Sequence, residues 1–273
     1  MATFFGEVLS VFSRAVEEDE EDEEGEEEEE EDRDILRALE DKRQVRVRWS
    51  SPLSPGGGDR PSRCPHLLLA VGHAASRFVS VYLLSRGHWD TVGQVCLWNE
   101  RTVGSKEAAC VLHRDKDNNV LVCPVDCFVA EDQLFQWTEQ VMGCVDTTGL
   151  QVTVLSDCPA AEYRTAEPLG PAPVLRSLHT SSHKEAPCCP PVEQPNLVTG
   201  LPAAVLSFCQ LHHISAVLYQ CYSDERCPDS SSMEVFRPAL TRLAKTLGLD
   251  LSPNVDQLRK YISQASVQSN LYI

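Results

Sequence analysis

The chain has 273 residues, 42% of them apolar, and a formal net charge of −17. Fifteen acidic residues between Glu17 and Asp32, interrupted only by Gly25, carry most of that charge, so the rest of the chain is nearly neutral. That distribution speaks against a phosphate-binding surface, which needs clustered Lys and Arg, and no apolar run is long enough to span a membrane.

Residues 1–44 read as an N-terminal segment that is disordered or only locally helical, because like charges at this density repel and few apolar groups offset the ordering entropy. Its opening, "MATFFGEVLSVF", is the exception, with Phe4 and Phe5 leading an apolar cluster. "RQVRVRW" alternates Arg43, Arg46 and Arg48 with apolar residues, as a solvated strand face or a partner for the acidic tract would. The 50–62 segment is a flexible loop by composition.

From there strands and helices alternate. "HLLLAVG" (66–72) has the continuously apolar character of a strand buried on both faces. Ala74 to Ser85 follows as a helix with Phe78, Val81 and Tyr82 on one side. "GQVCLW" and "AACVLH" are strands, and "NNVLVCPVDCFV" is another, with Pro124 arguing for an edge or a bulge. "AEDQLFQWTEQVMG" is an amphipathic helix on Leu134, Trp137, Val141 and Cys144, with Glu131 and Asp132 at its positive end.

"LQVTVLS" is a strand, and the Pro- and Ser-rich stretch from Asp157 to Pro195 reads as a long surface excursion. "GLPAAVLSFCQLHH" is a helix that tolerates Pro202 in its first turn, followed by the apolar strand "ISAVLYQCY". "MEVFRPALTRLAKTLG" is helical with an interruption near Pro238. Ser252 and Pro253 form a cap and first turn for a last helix on Val255, Leu258 and Ile262. This alternation predicts an α/β fold with a mainly parallel sheet covered by helices. It forms one domain over 45–266, followed by a flexible tail at 267–273.

An enzyme of this class would show its chemistry in a few short patterns. "AVGHAAS" places Gly72 and His73 between a strand and a helix, where phosphates often bind, but has one glycine where a dinucleotide fingerprint has three. The better reading is a tight strand-to-helix turn. Cys123 and Cys127 on one strand would stand about 13 Å apart at ~3.3 Å per residue, too far to share a metal ion. The pairs Cys188–Cys189 and His212–His213 point successive side chains apart. His73, His113 and His179 lack a local catalytic signature. No cofactor, no metal and no catalytic residue is expected.

The twelve cysteines come with no secretory leader and no N-x-S/T sequon. Cys96, Cys110, Cys209 and Cys221 sit in apolar segments, so free thiols in a reducing compartment are expected.

The stretches "FVAEDQLFQW", "CCPPVEQPNLVTGLPAAVLSFCQ" and the terminal "QSNLYI", with the opening "MATFFGEV" and its acidic tract, resemble the proteasome assembly chaperone 1 family of vertebrates. The likeness runs from Cys64 to the end and is weaker over 33–63. It implies a Rossmann-like three-layer sandwich without a working nucleotide site, and a role that is not enzymatic. In this family the chain pairs with proteasome assembly chaperone 2. The heterodimer binds proteasome α subunits, scaffolds the α ring of the core proteasome and prevents off-pathway α-ring dimerisation. The resemblance also implies a cytoplasmic setting with association to the endoplasmic reticulum.

A role for the last three residues follows from the same likeness. Leu271, Tyr272 and Ile273 fill the hydrophobic-Tyr-any pattern with which partners of the proteasome often end. The terminal carboxylate is a group only the last residue offers, and a lysine between ring subunits can pair with it. The alternatives are a tail packed back on its own domain and, for the whole chain, a Rossmann-like nucleotide-binding protein or enzyme using Gly72 and His73.

Overall fold

Strand β2 (His66–Val71) is apolar at its centre, and the protein buries both of its faces. Leu67 and Leu69 enter one hydrophobic core, while Leu68 and Ala70 enter another, since alternate residues of a strand point to opposite sides. Two cores imply two covering layers of helix, which is the architecture found. The computed structural model describes residues 32–41, 43–50, 64–85, 89–98, 107–115, 117, 120–165, 170, 172–223, 233–249, 251–256 and 258–259.

The other strands are β1 (Arg46–Trp49), β3 (Trp89–Trp98), β4 (Glu107–Asp115), β5 (Val120–Val125), β6 (Gln151–Pro159), β7 (Val174–His179) and β8 (Ser215–Ser223). They form an 8-stranded sheet in the order β1-β3-β4-β5-β2-β6-β8-β7. β5, β2, β6 and β8 run parallel at the centre, and the flanks are antiparallel. The parallel strands are those buried by helices on both faces, as their apolar runs require.

Helix α1 (32–41) lies in the N-terminal unit and is exposed along its length, including Ile35, Leu36 and Leu39. In the unit that begins at Gln44, helices α3 (Leu134–Gly143) and α4 (Gly200–Leu211) cover one face of the sheet. Trp137, Val141, Leu201, Val205 and Cys209 provide their buried stripes. Helices α2 (His73–Val79) and α5 (Arg237–Leu247) cover the other with Phe78, Leu240 and Leu247. Phe78 packs against Phe236 at 5.8 Å and Tyr82 at 4.7 Å between ring centres. After Val79 the helix widens into a π turn over Ser80–Leu84, which keeps Val81 and Tyr82 buried as the apolar spacing predicted.

Three local expectations need correction. The 157–195 excursion contains β7, which pairs antiparallel with β8 at the sheet margin. Pro124 lies within an interior strand: β5 has β4 on one side and β2 on the other. The β4 ladder pairs only Leu121 and Val122 of β5, so Pro124 lies past it and its missing N–H leaves no gap in that ladder. At residue 255 the helical turn is capped by Asn254, whose side-chain oxygen accepts the Asp256 N–H at 3.1 Å. Ser252 and Pro253 precede that cap, and Ile262 lies outside the described residues.

Candidate functional site

Because β2, β5, β6 and β8 are parallel, their carboxyl ends share one side of the sheet, the side where α/β folds hold ligands. A cleft of about 390 Å³ opens there, lined by residues that include Gly72, His73, Asp126, Cys127 and Asp157. Two apolar side chains at its walls, Phe128 and Leu197, are exposed, Leu197 by 83%.

The strand-to-helix turn at Gly72 is built around a carboxylate. Gly72 has φ of 98°, a region that glycine alone enters at little cost. A Cβ on it would lie 2.6 Å from Asp157 Oδ1. That oxygen accepts the N–H of Ala75 at 2.9 Å, so β6 supplies the cap for the first turn of α2. Burial raises the Asp157 pKa above the ordinary carboxylate value, opposed by the Ala75 N–H and by the His73 charge. The place a phosphate would take at this turn is therefore held by an acid. Asp126 and Glu162 also line the cleft, and like charges there oppose a polyphosphate. The turn reading of Gly72 is the one its geometry supports.

His73 Nδ1 pairs with Asp126 Oδ1. The hydrogen bond to Asp126 raises the histidine pKa above its ordinary value, against the opposite pull of burial. The aspartate follows β5 and the histidine follows β2, adjacent parallel strands, so this pairing is a product of sheet order. The remaining candidate histidines are placed apart from it. His113 lies on β4, where burial lowers its pKa, and His179 Nδ1 bonds the Thr180 carbonyl at 3.1 Å.

The cysteine expectations divide. The described cysteines are free thiols, as expected. Cys127 lies past the end of β5 and meets Cys110, with 3.4 Å between sulfurs. Cys188 and Cys189 occupy a bend outside any strand. The contact with Cys189 lowers the Cys188 pKa to about 6. His212 stacks on Phe208 at 4.1 Å, while His213 turns away with φ of 56°. Among the described residues no three His, Cys, Asp or Glu side chains converge as a metal cage. Among the same residues no helix is long and apolar enough to cross a membrane. Leu271, Tyr272 and Ile273 lie outside the described residues.

Comparison with known proteins decides what this arrangement belongs to. A family model described as proteasome assembly chaperone 4 matches residues 1–273. Proteasome assembly chaperone 1 of Danio rerio is 49% identical over 284 residues, covering 100% of both chains. The chain belongs to the proteasome assembly chaperone 1 family. The relative of the same name from Homo sapiens is 40% identical, covering 99% of both chains.

Solved structures reproduce the fold of the family at much lower identity. Pyrococcus furiosus PbaA, described as an archaeal homolog of proteasome-assembly chaperone, gives a TM-score of 0.53 at 12% identity, covering 82% of this chain and 94% of its own. P. furiosus PbaB, described as an archaeal proteasome activator, gives 0.52 at 10%, covering 84% and 97%. A Thermoplasma acidophilum protein of unknown function gives 0.55 at 12%, covering 78% and 90%. The α/β sandwich is thus shared by chains whose sequences have diverged almost completely.

Proposed function

We propose that the chain is a chaperone that acts by binding rather than by catalysis. As a heterodimer with proteasome assembly chaperone 2, it holds proteasome α subunits in the cytoplasm and at the endoplasmic reticulum. It scaffolds the α ring of the core proteasome and blocks off-pathway dimerisation of α rings. The observation that carries this reading is similarity over the full length to relatives named as assembly chaperones. The carboxylate beneath Gly72 supports it against a nucleotide-dependent alternative.

In this reading the tail docks between ring subunits. The Ile273 carboxylate pairs with a lysine, Tyr272 offers a rigid aromatic body with a polar tip, and Leu271 adds apolar burial on the order of 1.5–3 kcal/mol if fully covered. The segment 267–273 spans up to ~20 Å when extended, enough to enter a pocket while the domain stays outside it.

Two variants test the tail. Tyr272→Ala removes the aromatic anchor, and one residue added after Ile273 displaces the carboxylate. Both are expected to weaken capture of α subunits in a pull-down while the circular dichroism spectrum stays unchanged. Equal capture by both variants and the parent would end the tail reading. The nucleotide alternative is checked by calorimetric titration with ATP and NAD, for which no heat of binding at micromolar concentration is expected.

A further inference from the structure

The two thiols of Cys110 and Cys127 stand in contact across the flank of the sheet. Cys110 is buried on β4, with 2% of its surface exposed, among core residues that include Trp137. Cys127 follows the end of β5, is only partly buried and lines the cleft. Their sulfurs are 3.4 Å apart, and a disulfide needs them at about 2.05 Å. The approach required is small. Two further features favour the pair over the thiols sealed in the cores. Cys127 faces a cleft that a small oxidant can enter, whereas Cys123, Cys209 and Cys221 are sealed in the cores. Either sulfur can donate in the contact, which lowers the Cys127 pKa below the ordinary thiol value and raises that of Cys110. The accessible sulfur is therefore the one readier to become the nucleophilic thiolate.

We infer that Cys110 and Cys127 form a peroxide-oxidisable pair, with Cys127 as the attacking thiol and Cys110 as the resolving one. The Cys127 thiolate attacks one oxygen of hydrogen peroxide. The O–O bond breaks, Cys127 becomes a sulfenic acid, and hydroxide leaves to become water with a proton. The Cys110 sulfur then attacks the Cys127 sulfur as its own proton is lost. The S–O bond breaks, the S–S bond forms, and a second water leaves. Two thiols and one peroxide give one disulfide and two waters. The bond ties β4 to the turn after β5. That turn carries Asp126, the partner of His73, and Phe128 at the cleft wall, so oxidation fixes this part of the cleft rim.

The test uses the full chain in its native state, treated with limiting hydrogen peroxide and then alkylated, digested and mapped by mass spectrometry. The first linkage expected joins the Cys110 and Cys127 peptides with a loss of about 2 Da, two hydrogens. Both residues lose their alkylation in step. In Cys110→Ala, Cys127 is expected to accumulate as a sulfenic acid that dimedone captures, whereas Cys127→Ser shows no oxidation of Cys110. In urea the preference for this pair disappears, because it comes from folded geometry. The inference is overturned if the first linkage joins Cys188 to Cys189 while Cys110 and Cys127 remain alkylatable. It is equally overturned if native Cys127 proceeds to sulfinic acid with Cys110 still free.

Discussion

Gly72 and Asp157 show how one residue constrains another far along the chain. The carboxylate occupies the space a side chain at 72 would need, and the backbone there has φ of 98°. Gly72→Ala is expected to destabilise the folded chain on the order of 1–3 kcal/mol, read from urea unfolding. The pair His73–Asp126 makes a pH-dependent contribution. Its folded histidine pKa is raised above the ordinary 6.5, so the stabilisation is complete below that value and is lost as pH rises through the folded one. Both side chains are about half exposed, 56% and 46%, so solvent screening limits the effect to about 1 kcal/mol or less. Asp126→Asn should therefore be less stable than the parent below pH 6.5 and converge with it as pH rises through the folded histidine pKa, measured by thermal unfolding across a pH series.

At the scale of elements, the two helical layers depend on single large side chains. Phe236 is fully buried just before α5 and packs on Phe78 of α2, so it ties together the two helices of one layer. Phe236→Ala is expected to cost about 3–5 kcal/mol in urea unfolding, the usual range for a buried aromatic whose site cannot collapse. The cap at Asn254 is a smaller determinant: Asn254→Ala should cost about 1 kcal/mol by the same measurement. Strong helical periodicity was legible in "AEDQLFQWTEQVMG" and "GLPAAVLSFCQLHH", because each buries one stripe against the sheet. Strand β7 was not legible. Only Ser177 of its residues is fully buried, so "VLRSLH" carries little apolar alternation and sits inside a Pro- and Ser-rich stretch that reads as loop.

For the whole molecule, the proposed function would place binding on surfaces and chain ends more than in the cleft. If the acidic tract between Glu17 and Asp32 contributes to the proposed function by masking basic surfaces on ring subunits, its effect should depend on salt. Deleting residues 1–32 is expected to weaken association with α subunits at low ionic strength and to make no difference at about 1 M salt, where charges are screened beyond about 3 Å. Loss of binding that is independent of salt would instead implicate the apolar opening around Phe4 and Phe5.

The sequence by itself determined the α/β class, the positions of the long helices and central strands, and the family. Each of these rests on local periodicity or on long runs of matching residues. Only the tertiary structure decided that His73 meets Asp126, that Asp157 caps α2 beneath Gly72, and that Cys110 touches Cys127. These contacts join residues 53, 82 and 17 positions apart. The first two depend on β5 and β6 flanking β2 in the sheet, an order that periodicity does not encode. The third arises because β5 ends before Cys127, which frees that thiol from the face that strict alternation would assign it.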